Sequence, residues 1–380
     1  DTQVGLVGVL AGPAGLRRLG WGMQPGDASR EPDETVQLVL GQLREYFGGQ
    51  RGDFDLPLDQ LVTYLPDREE PADLDEFWLR TLSEQDAEHP LDVTFERVDT
   101  GLTEIVTEDV TFTGFGGQPV KGWFHRPARL EGPLPTVVTY IGYGGGRGLS
   151  HESVLHAAAG HATLVMDNRG QGSGHRVGAT GDAGPTGSHA AGFLTAGIES
   201  PETYFYTRLF TDAERAVRAA RRHVAVDSSA VLVSGGSQGG ALSLAAAALT
   251  GLRDGLGEPA LRGAIVDVPF LAHVRRASVL TAARPYGELV EYLHTHRDRI
   301  EQTFRTLSYV DGVNLAARTT VPAMFSVGLM DEICPPSTVY AAYNHYAGPK
   351  EMVVYPYNGH ENGGAFQEVE HLRFAREHLG

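Results

Sequence analysis

A serine set among glycines is the first feature of this sequence that could do chemistry. Residues 235–239, Gly-Gly-Ser-Gln-Gly, fit the pattern G-x-S-x-G. In that pattern a tight turn between a strand and a helix holds the serine in a strained backbone conformation, and the glycines avoid clashes across the turn. A strand-like run ends at Ser234, and an alanine-rich helical segment follows Gly240. The pattern therefore predicts that Ser237 is a nucleophile.

A nucleophilic serine needs a base, and the base needs a carboxylate that orients it. Asp331 follows the strand-like run PAMFSVG, and His360 follows the run EMVVYP. The chain order Ser, Asp, His is one in which such triads recur. We therefore predict that His360 takes the proton of Ser237 as the hydroxyl attacks a carbonyl carbon, while Asp331 fixes the imidazole tautomer and stabilises its charge.

The oxyanion that forms in such an attack needs two hydrogen-bond donors. The backbone N–H of Gln238, directly after the nucleophile, is one candidate. The second should come from a loop after an earlier strand, and the sequence GYGGGRG at 142–148 is such a loop. Its glycines let the backbone approach a substrate closely. We predict that the N–H of Tyr143 is the second donor.

The elements that must position these residues are short apolar runs alternating with helical segments. The runs TVVTYI, ATLVM, AVLVS, GAIVDV, PAMFSV and EMVVYP each end in a glycine-rich or polar turn. Continuous runs of this kind are typical of strands buried on both faces, in a parallel sheet covered by helices. Working residues then lie at the carboxyl ends of strands. The sequence predicts an α/β fold with a helical cap at about 273–318, inserted between two strands.

Composition excludes several other functions. The chain has 380 residues, with 48 acidic against 31 basic side chains and a net charge of −17, which disfavours nucleic acid as a partner. A single cysteine, Cys334, excludes an intramolecular disulfide and favours a reducing, cytoplasmic location. No apolar run is long enough to span a membrane, and the first twenty residues do not fit a signal peptide. The lack of phosphate-loop, dinucleotide and H-E-x-x-H motifs predicts no cofactor and no metal.

Longer strings add a family resemblance. They are RGQG at 169–172, GGSQGG at 235–240, HE at 360–361, DVPFLAHVRRA at 267–277 and CPPSTVYAAYNHYAGPKE at 334–351. From about Phe54 to the C-terminus, the chain resembles the acetyl xylan esterase / cephalosporin-C deacetylase family of α/β-hydrolases. The resemblance implies an α/β-hydrolase fold. It also implies hydrolysis of acetyl esters on xylo-oligosaccharides and small molecules, with cephalosporin C included, by an intracellular homohexamer.

The resemblance also assigns residues to the site. It supports Ser237, Asp331 and His360 as the triad, with the N–H groups of Tyr143 and Gln238 as the oxyanion hole. Two further sets follow from it: Phe270, Pro285 and Ile333 as the lining of a small acyl pocket, and Arg169, Gly170 and Gln171 as structural support. An exposed, salt-bridging role is the alternative for Arg169. Family members often carry Asn at the position of Gly144, and a glycine commonly follows HE. Both differences are expected to bear on substrate preference rather than on reaction type.

Residues 1–52 are predicted to be a small N-terminal appendage to an esterase domain at 53–380. They resemble the N-terminal domain of methylguanine–DNA alkyltransferases, but the Pro-Cys-His-Arg centre of those enzymes is absent. The prediction is therefore a structural or assembly role without alkyl transfer. Two alternatives remain for the whole chain. One is a serine peptidase of the prolyl-oligopeptidase type, and the other is a non-catalytic hydrolase-fold binding module.

Overall fold

The structure is a computed structural model, and it describes residues 8–10, 17–20, 54–182, 191–253 and 259–380. The chain divides into two compact units, residues 1–64 and 65–380. The first holds an antiparallel pair, β1 (Gly8–Leu10) and β2 (Arg17–Gly20), and a short helix, α1 (Leu58–Leu61). The boundary predicted at 52 and 53 lies outside the described residues, as does most of segment 1–52. Both therefore stay predictions.

A nine-stranded sheet forms the centre of the second unit, in the order β11-β10-β9-β8-β6-β7-β5-β4-β3. Strands β6 to β11 pair in parallel with one another, while β3, β4 and β5 form an antiparallel edge. The strands are β3 (Val93–Val98), β4 (Ile105–Thr113), β5 (Pro119–Pro127), β6 (Leu134–Tyr140), β7 (Ala162–Met166), β8 (Val226–Gly236), β9 (Gly263–Asp267), β10 (Ala323–Gly328) and β11 (Lys350–Tyr355). The predicted, mostly parallel sheet is confirmed.

Helices connect the parallel strands and cover the sheet. Because β7, β9 and β10 are buried at every residue, both of their faces must be covered, as the unbroken apolar runs predict. The helices outside the cap are α2 (Leu74–Glu88), α3 (Leu155–Ala158), α4 (Phe205–Arg221), α5 (Gln238–Leu252), α10 (Pro336–His345) and α11 (Ala365–Leu379). None of the helices in the described ranges combines the length and the apolar character that a membrane crossing needs.

The predicted cap lies between β9 and β10. It consists of four helices, α6 (Val274–Leu280), α7 (Tyr286–Thr295), α8 (Ile300–Ser308) and α9 (Gly312–Ala316). One part of the core beneath the C-terminal helix α11 is an apolar cluster. There Phe374 packs against one buried residue from each of four parallel strands, namely Val137, Leu232, Ile265 and Met324.

The register of the parallel strands brings their carboxyl ends to one edge of the sheet. Tyr140 of β6 pairs with Gly235 of β8, and Gly236 pairs with Asp267 of β9. Asp267 pairs in turn with Ser326 of β10. The loops that follow these strands therefore leave from neighbouring points, which is where an open α/β sheet places its ligands.

Candidate active site

Ser237 alone forms the turn between β8 and α5. The strand continues to Gly236 and the helix begins at Gln238, so the turn is shorter than the sequence pattern indicated. The backbone of Ser237 has φ 59° and ψ −121°, a conformation that a non-glycine residue adopts only under strain. Its N–H donates to the carbonyl of Asp267 at 2.9 Å, which holds the turn against the end of β9.

The glycines of the motif are required by close backbone contacts. A Cβ on Gly235 would lie 2.5 Å from the carbonyl carbon of Gly239, and a Cβ on Gly239 would lie 2.4 Å from the carbonyl oxygen of Tyr140. Both contacts are with backbone, which cannot move aside as the end of a side chain can. The strand, turn and helix therefore pass so closely that only glycine fits at these positions, as the motif predicts.

Asp331 and His360 lie in hydrogen-bond contact. Nδ1 of His360 is 2.8 Å from Oδ2 of Asp331, which leaves Nε2 of the ring for another partner. The carboxylate is fully buried, and its second oxygen accepts the N–H groups of Ile333 at 2.8 Å and Cys334 at 2.9 Å. The imidazole is 25% exposed. A buried, doubly anchored carboxylate behind a partly open imidazole is the arrangement that orients a general base.

Cys334 connects this pair with the nucleophile. Its thiol is in hydrogen-bond contact with the side chain of Ser237, and burial raises the pKa of the thiol well above its ordinary value. One ligand atom each of Asp331, Cys334 and His360 lies within 4.8 Å of the others, a spacing that could also hold a metal ion. A metal would bind the thiol in its deprotonated form, whereas a serine triad needs no proton loss from Cys334. The arrangement therefore favours a serine triad over a metal centre.

The glycine-rich loop after β6 runs past the nucleophile. A Cβ on Gly142 would lie 4.0 Å from Cβ of Ser237, so the backbone of the loop borders the serine directly. Tyr143 follows, and its ring packs at 6.1 Å from that of Phe270. Gln238 is the first residue of α5, where N–H groups have no partner within the helix and the helix dipole is positive. Gln238 and the loop that carries Tyr143 therefore both border Ser237, and the oxyanion role of the two N–H groups stays a prediction.

Two buried glutamines tie this loop to the nucleophile turn. Oε1 of Gln171 accepts the N–H of Gly144 at 2.7 Å, and Nε2 of Gln171 donates to Oε1 of Gln238 at 2.9 Å. Nε2 of Gln238 donates to the carbonyl of Ile141 at 3.2 Å. Both side chains are fully buried. These contacts support the predicted structural role of Gln171, because they fix the Tyr143 segment from both ends.

Arg169 lies in the same loop as Gln171 and anchors that loop to Asp212 on α4. It is 1% exposed, so the exposed salt bridge considered as an alternative is wrong. Its Nε lies 2.5 Å from Asp212 and its Nη2 2.8 Å from the other oxygen of that carboxylate, a bidentate pair. Burial lowers the pKa of Arg169, but the carboxylates of Asp212 and Asp182 raise it by more. The pKa therefore lies above its ordinary value, and the guanidinium stays charged. Gly170 donates its N–H to the carbonyl of Thr180 at 3.0 Å.

The predicted pocket residues occupy different places. Phe270 is fully buried, and its N–H donates to the carbonyl of Ser237 at 3.0 Å. Ile333 is half-buried and lies two residues after Asp331, with its N–H on that carboxylate. Pro285 precedes the cap helix α7 and reaches the site through its neighbour Tyr286, whose ring lies 4.8 Å from that of Phe270. Phe270 and Ile333 thus contact triad residues directly, whereas only the neighbour of Pro285, Tyr286, packs on Phe270. The role of all three as the lining of an acyl pocket stays a prediction.

Glu288 is a residue of this site that the sequence analysis missed. It belongs to the cap helix α7, is 7% exposed, and its Oε2 accepts the hydroxyl of Tyr143 at 2.6 Å. The same hydroxyl accepts the N–H groups of Gly192 and Phe193 at 3.2 and 2.9 Å. Burial raises the pKa of Glu288, although the Tyr143 hydrogen bond lowers it. No spacing signal links two residues that lie so far apart in the chain.

A mostly parallel sheet, a serine on a one-residue turn between strand and helix, and an Asp–His pair on later strand ends define an α/β-hydrolase. Comparison with known proteins is more specific. The sequence model of the family described as acetyl xylan esterase (AXE1) matches residues 52–378. The chain belongs to the acetyl xylan esterase family, which places it among the carboxylic ester hydrolases.

The proteins similar to the chain include two solved structures and one curated protein. The acetyl xylan esterase from Paenibacillus sp. R4 is 38% identical, with a TM-score of 0.76 over 85% of this chain and 100% of that one. Acetyl xylan esterase 1 from Thermoanaerobacterium sp. JW/SL YS485 is 31% identical, with a TM-score of 0.76 over 86% of this chain and 100% of that one. Acetyl esterase Axe7A of Xylanibacter ruminicola is 27% identical over 303 residues, which are 78% of this chain. The chain spans 64% of the length of Axe7A.

Proposed function

We propose that this protein is a serine esterase that removes acetyl groups from acetylated xylo-oligosaccharides and similar small acetyl esters. The observation that carries the proposal is the hydrogen bond of 2.8 Å between His360 and the buried Asp331, at the edge of the sheet where Ser237 forms its strained turn. Membership of the acetyl xylan esterase family supports acetyl esters as the substrate class. Activity on cephalosporin C is part of the proposal as a second substrate.

The proposed chemistry proceeds through an acyl-enzyme. Nε2 of His360 takes the proton of Ser237 as Oγ attacks the acetyl carbon, and the negative charge develops on the former carbonyl oxygen. The N–H groups of Gln238 and Tyr143 stabilise that oxyanion. His360 then returns the proton to the departing alcohol oxygen. A water molecule, activated by the same imidazole, releases acetate and restores the hydroxyl of Ser237.

A ring of buried aromatic side chains argues for a short acyl group. Phe270 packs against Tyr143, Tyr206 and Tyr286, with centroid distances of 6.1, 6.1 and 4.8 Å. Phe270, Tyr206 and Tyr286 are fully buried, so none of these rings swings aside without disturbing the core. We therefore expect each methylene added to acetate to cost about 1–3 kcal/mol of transition-state binding.

Hydrolysis of p-nitrophenyl acetate, propionate and butyrate tests the proposal, with acetate release from acetylated xylo-oligosaccharides as the second measurement. Ser237→Ala should reduce kcat by about 10³-fold or more. Equal rates on acetate and butyrate would contradict the narrow pocket. Cleavage of proline-containing peptides without esterase activity would favour the peptidase alternative, and no hydrolysis at all would favour a binding module. The proposed homohexamer is tested by light scattering, and the cytoplasmic location by fractionation of cells that express the protein.

A further inference from the structure

A second aspartate–histidine pair lies behind the nucleophile turn. Asp267 is the last residue of β9, and its Oδ2 lies 2.5 Å from Nε2 of His371 on α11. Its Oδ1 accepts the hydroxyl of Ser326 at 2.6 Å and Nε2 of Gln367 at 2.7 Å. Asp267 is 5% exposed. Both oxygens of this buried carboxylate thus accept hydrogen bonds from side chains of β10 or α11.

The backbone of Asp267 holds the nucleophile at the same time. Its carbonyl accepts the N–H of Ser237 at 2.9 Å, and in the sheet it pairs with Gly236. The carbonyl and the carboxylate belong to one residue, so the contacts that fix the carboxylate also fix the strand end on which the Ser237 turn is built. Asp267 therefore holds the nucleophile turn in place, although it takes part in no step of the proposed reaction.

Asn362 connects the His360 loop to this carboxylate. It lies two residues after His360, is 6% exposed, and its Nδ2 donates to Oγ of Ser326 at 2.7 Å. The hydroxyl of Ser326 donates in turn to Oδ1 of Asp267. The backbone of Asn362 has φ 58°, a conformation that glycine adopts at no steric cost. The asparagine side chain therefore supplies a connection to the sheet that a glycine at this position would lack.

We propose that Asn362, Ser326 and Asp267 are positioning residues that fix the His360 loop relative to the Ser237 turn. A chain of hydrogen bonds runs from the loop that carries the base, through Ser326, to the residue whose carbonyl holds the nucleophile. Catalysis by a base needs its nitrogen and the hydroxyl in a near-attack arrangement, and a small misplacement is costly in rate. The inference rests on the proposed function, because turnover is its readout.

The variants N362G and S326A test this connection. Glycine keeps the backbone of residue 362 unstrained, so N362G removes the side-chain contact alone. We expect each variant to lower kcat for p-nitrophenyl acetate by about tenfold with KM unchanged. The double variant should be no slower than the slower single variant, because both changes break the same chain of hydrogen bonds. Rates are normalised to the fraction of protein that a phosphonate inhibitor labels at Ser237.

N314A is the matched control. Asn314 lies in the cap and is 2% exposed, and its amide donates to the carbonyl of Ser308 in the cap at 2.9 Å and to that of Glu69, before α2, at 3.0 Å. N314A should lose stability as N362G does and keep its kcat. The inference would be overturned, and the proposed function left intact, if N362G kept the wild-type kcat or if N314A lost as much of its kcat as N362G. If the wild-type protein hydrolyses no ester, or if Ser237→Ala hydrolyses esters as fast as the wild type, both the inference and the proposed function are overturned.

Discussion

Replacing Gln171 with methionine should loosen the segment that carries Tyr143 while it keeps the volume of the buried side chain nearly unchanged. In the native structure Oε1 of Gln171 accepts the N–H of Gly144 at 2.7 Å, directly after Tyr143. Methionine offers no comparable acceptor. The N–H of Gly144 must then stay unpaired or turn away to find another partner. Either response moves the backbone that presents the N–H of Tyr143 to the substrate.

The contacts set the size of the effect. A fully buried N–H left without a partner costs about 1–3 kcal/mol in the free energy of unfolding, and the N–H of Gly144 is half-buried, so its loss lies at the lower end. Gln238 adds little to this cost, because its amide keeps the carbonyl of Ile141 at 3.2 Å and the hydroxyl of Tyr206 at 2.9 Å. Complete loss of one oxyanion donor lowers kcat by about 10²–10³-fold. Part of the loop stays anchored through Asn168, which donates to Gly145 at 2.9 Å, so we expect about 10–100-fold.

Urea unfolding gives the loss of stability, and initial rates on p-nitrophenyl acetate give kcat and KM. The matched control is Gln85→Met on α2, because Oε1 of Gln85 also accepts a glycine N–H, that of Gly116, at 2.6 Å. Q85M should lose similar stability and keep kcat. A Q171M variant with wild-type kcat, or with no more loss than Q85M, would refute the role assigned to the Gln171 contact.

Three further predictions concern the cap, the nucleophile turn and the second histidine. Glu288→Ala should lower kcat about tenfold, because it removes the acceptor of the Tyr143 hydroxyl. Glu288→Gln keeps an acceptor and should retain most of the wild-type rate. Equal kcat values for the two variants would contradict a role for this hydrogen bond. Gly235→Ala should cost about 1–3 kcal/mol of stability through its backbone clash, while Gly251→Ala, with open space around it, should stabilise the protein by about 0.5–1 kcal/mol; urea midpoints compare them. Burial lowers the pKa of His371, but the Asp267 carboxylate raises it above 6.5 overall. Its stabilisation is therefore complete below about pH 6.5 and falls as pH rises through the folded pKa. His371→Asn should lose that slope, which urea unfolding at a series of pH values above about 6.5 measures.

The sequence predicted the elements of the sheet because their signals are local. Unbroken apolar runs such as ATLVM and GAIVDV indicate strands covered on both faces, and β7 and β9 are buried at every residue. The turn at Ser237 was predicted from the local spacing of its glycines, although only the clash between Gly235 and Gly239 is local and Gly239 also faces the carbonyl of Tyr140 on β6. Only its length differed, because a strained serine lets the helix begin at once at Gln238.

The pairing of Asp331 with His360 was also within reach of the sequence, because parallel strands bring their carboxyl ends to one edge. The same rule does not predict which buried polar side chains form hydrogen bonds with each other. Glu288 lies 145 residues from Tyr143, and His371 lies 104 residues from Asp267. No spacing or propensity connects such partners.

The sequence by itself therefore determined the strands, the motif turn and the chain order of the three proposed catalytic residues. Tertiary structure decided what holds them in place. Gln171 reaches Gln238 across 67 residues, and Asn362 reaches Ser326 across 36. Each contact exists because a buried polar atom must find a partner, and the partner available depends on how the whole sheet and its helices pack.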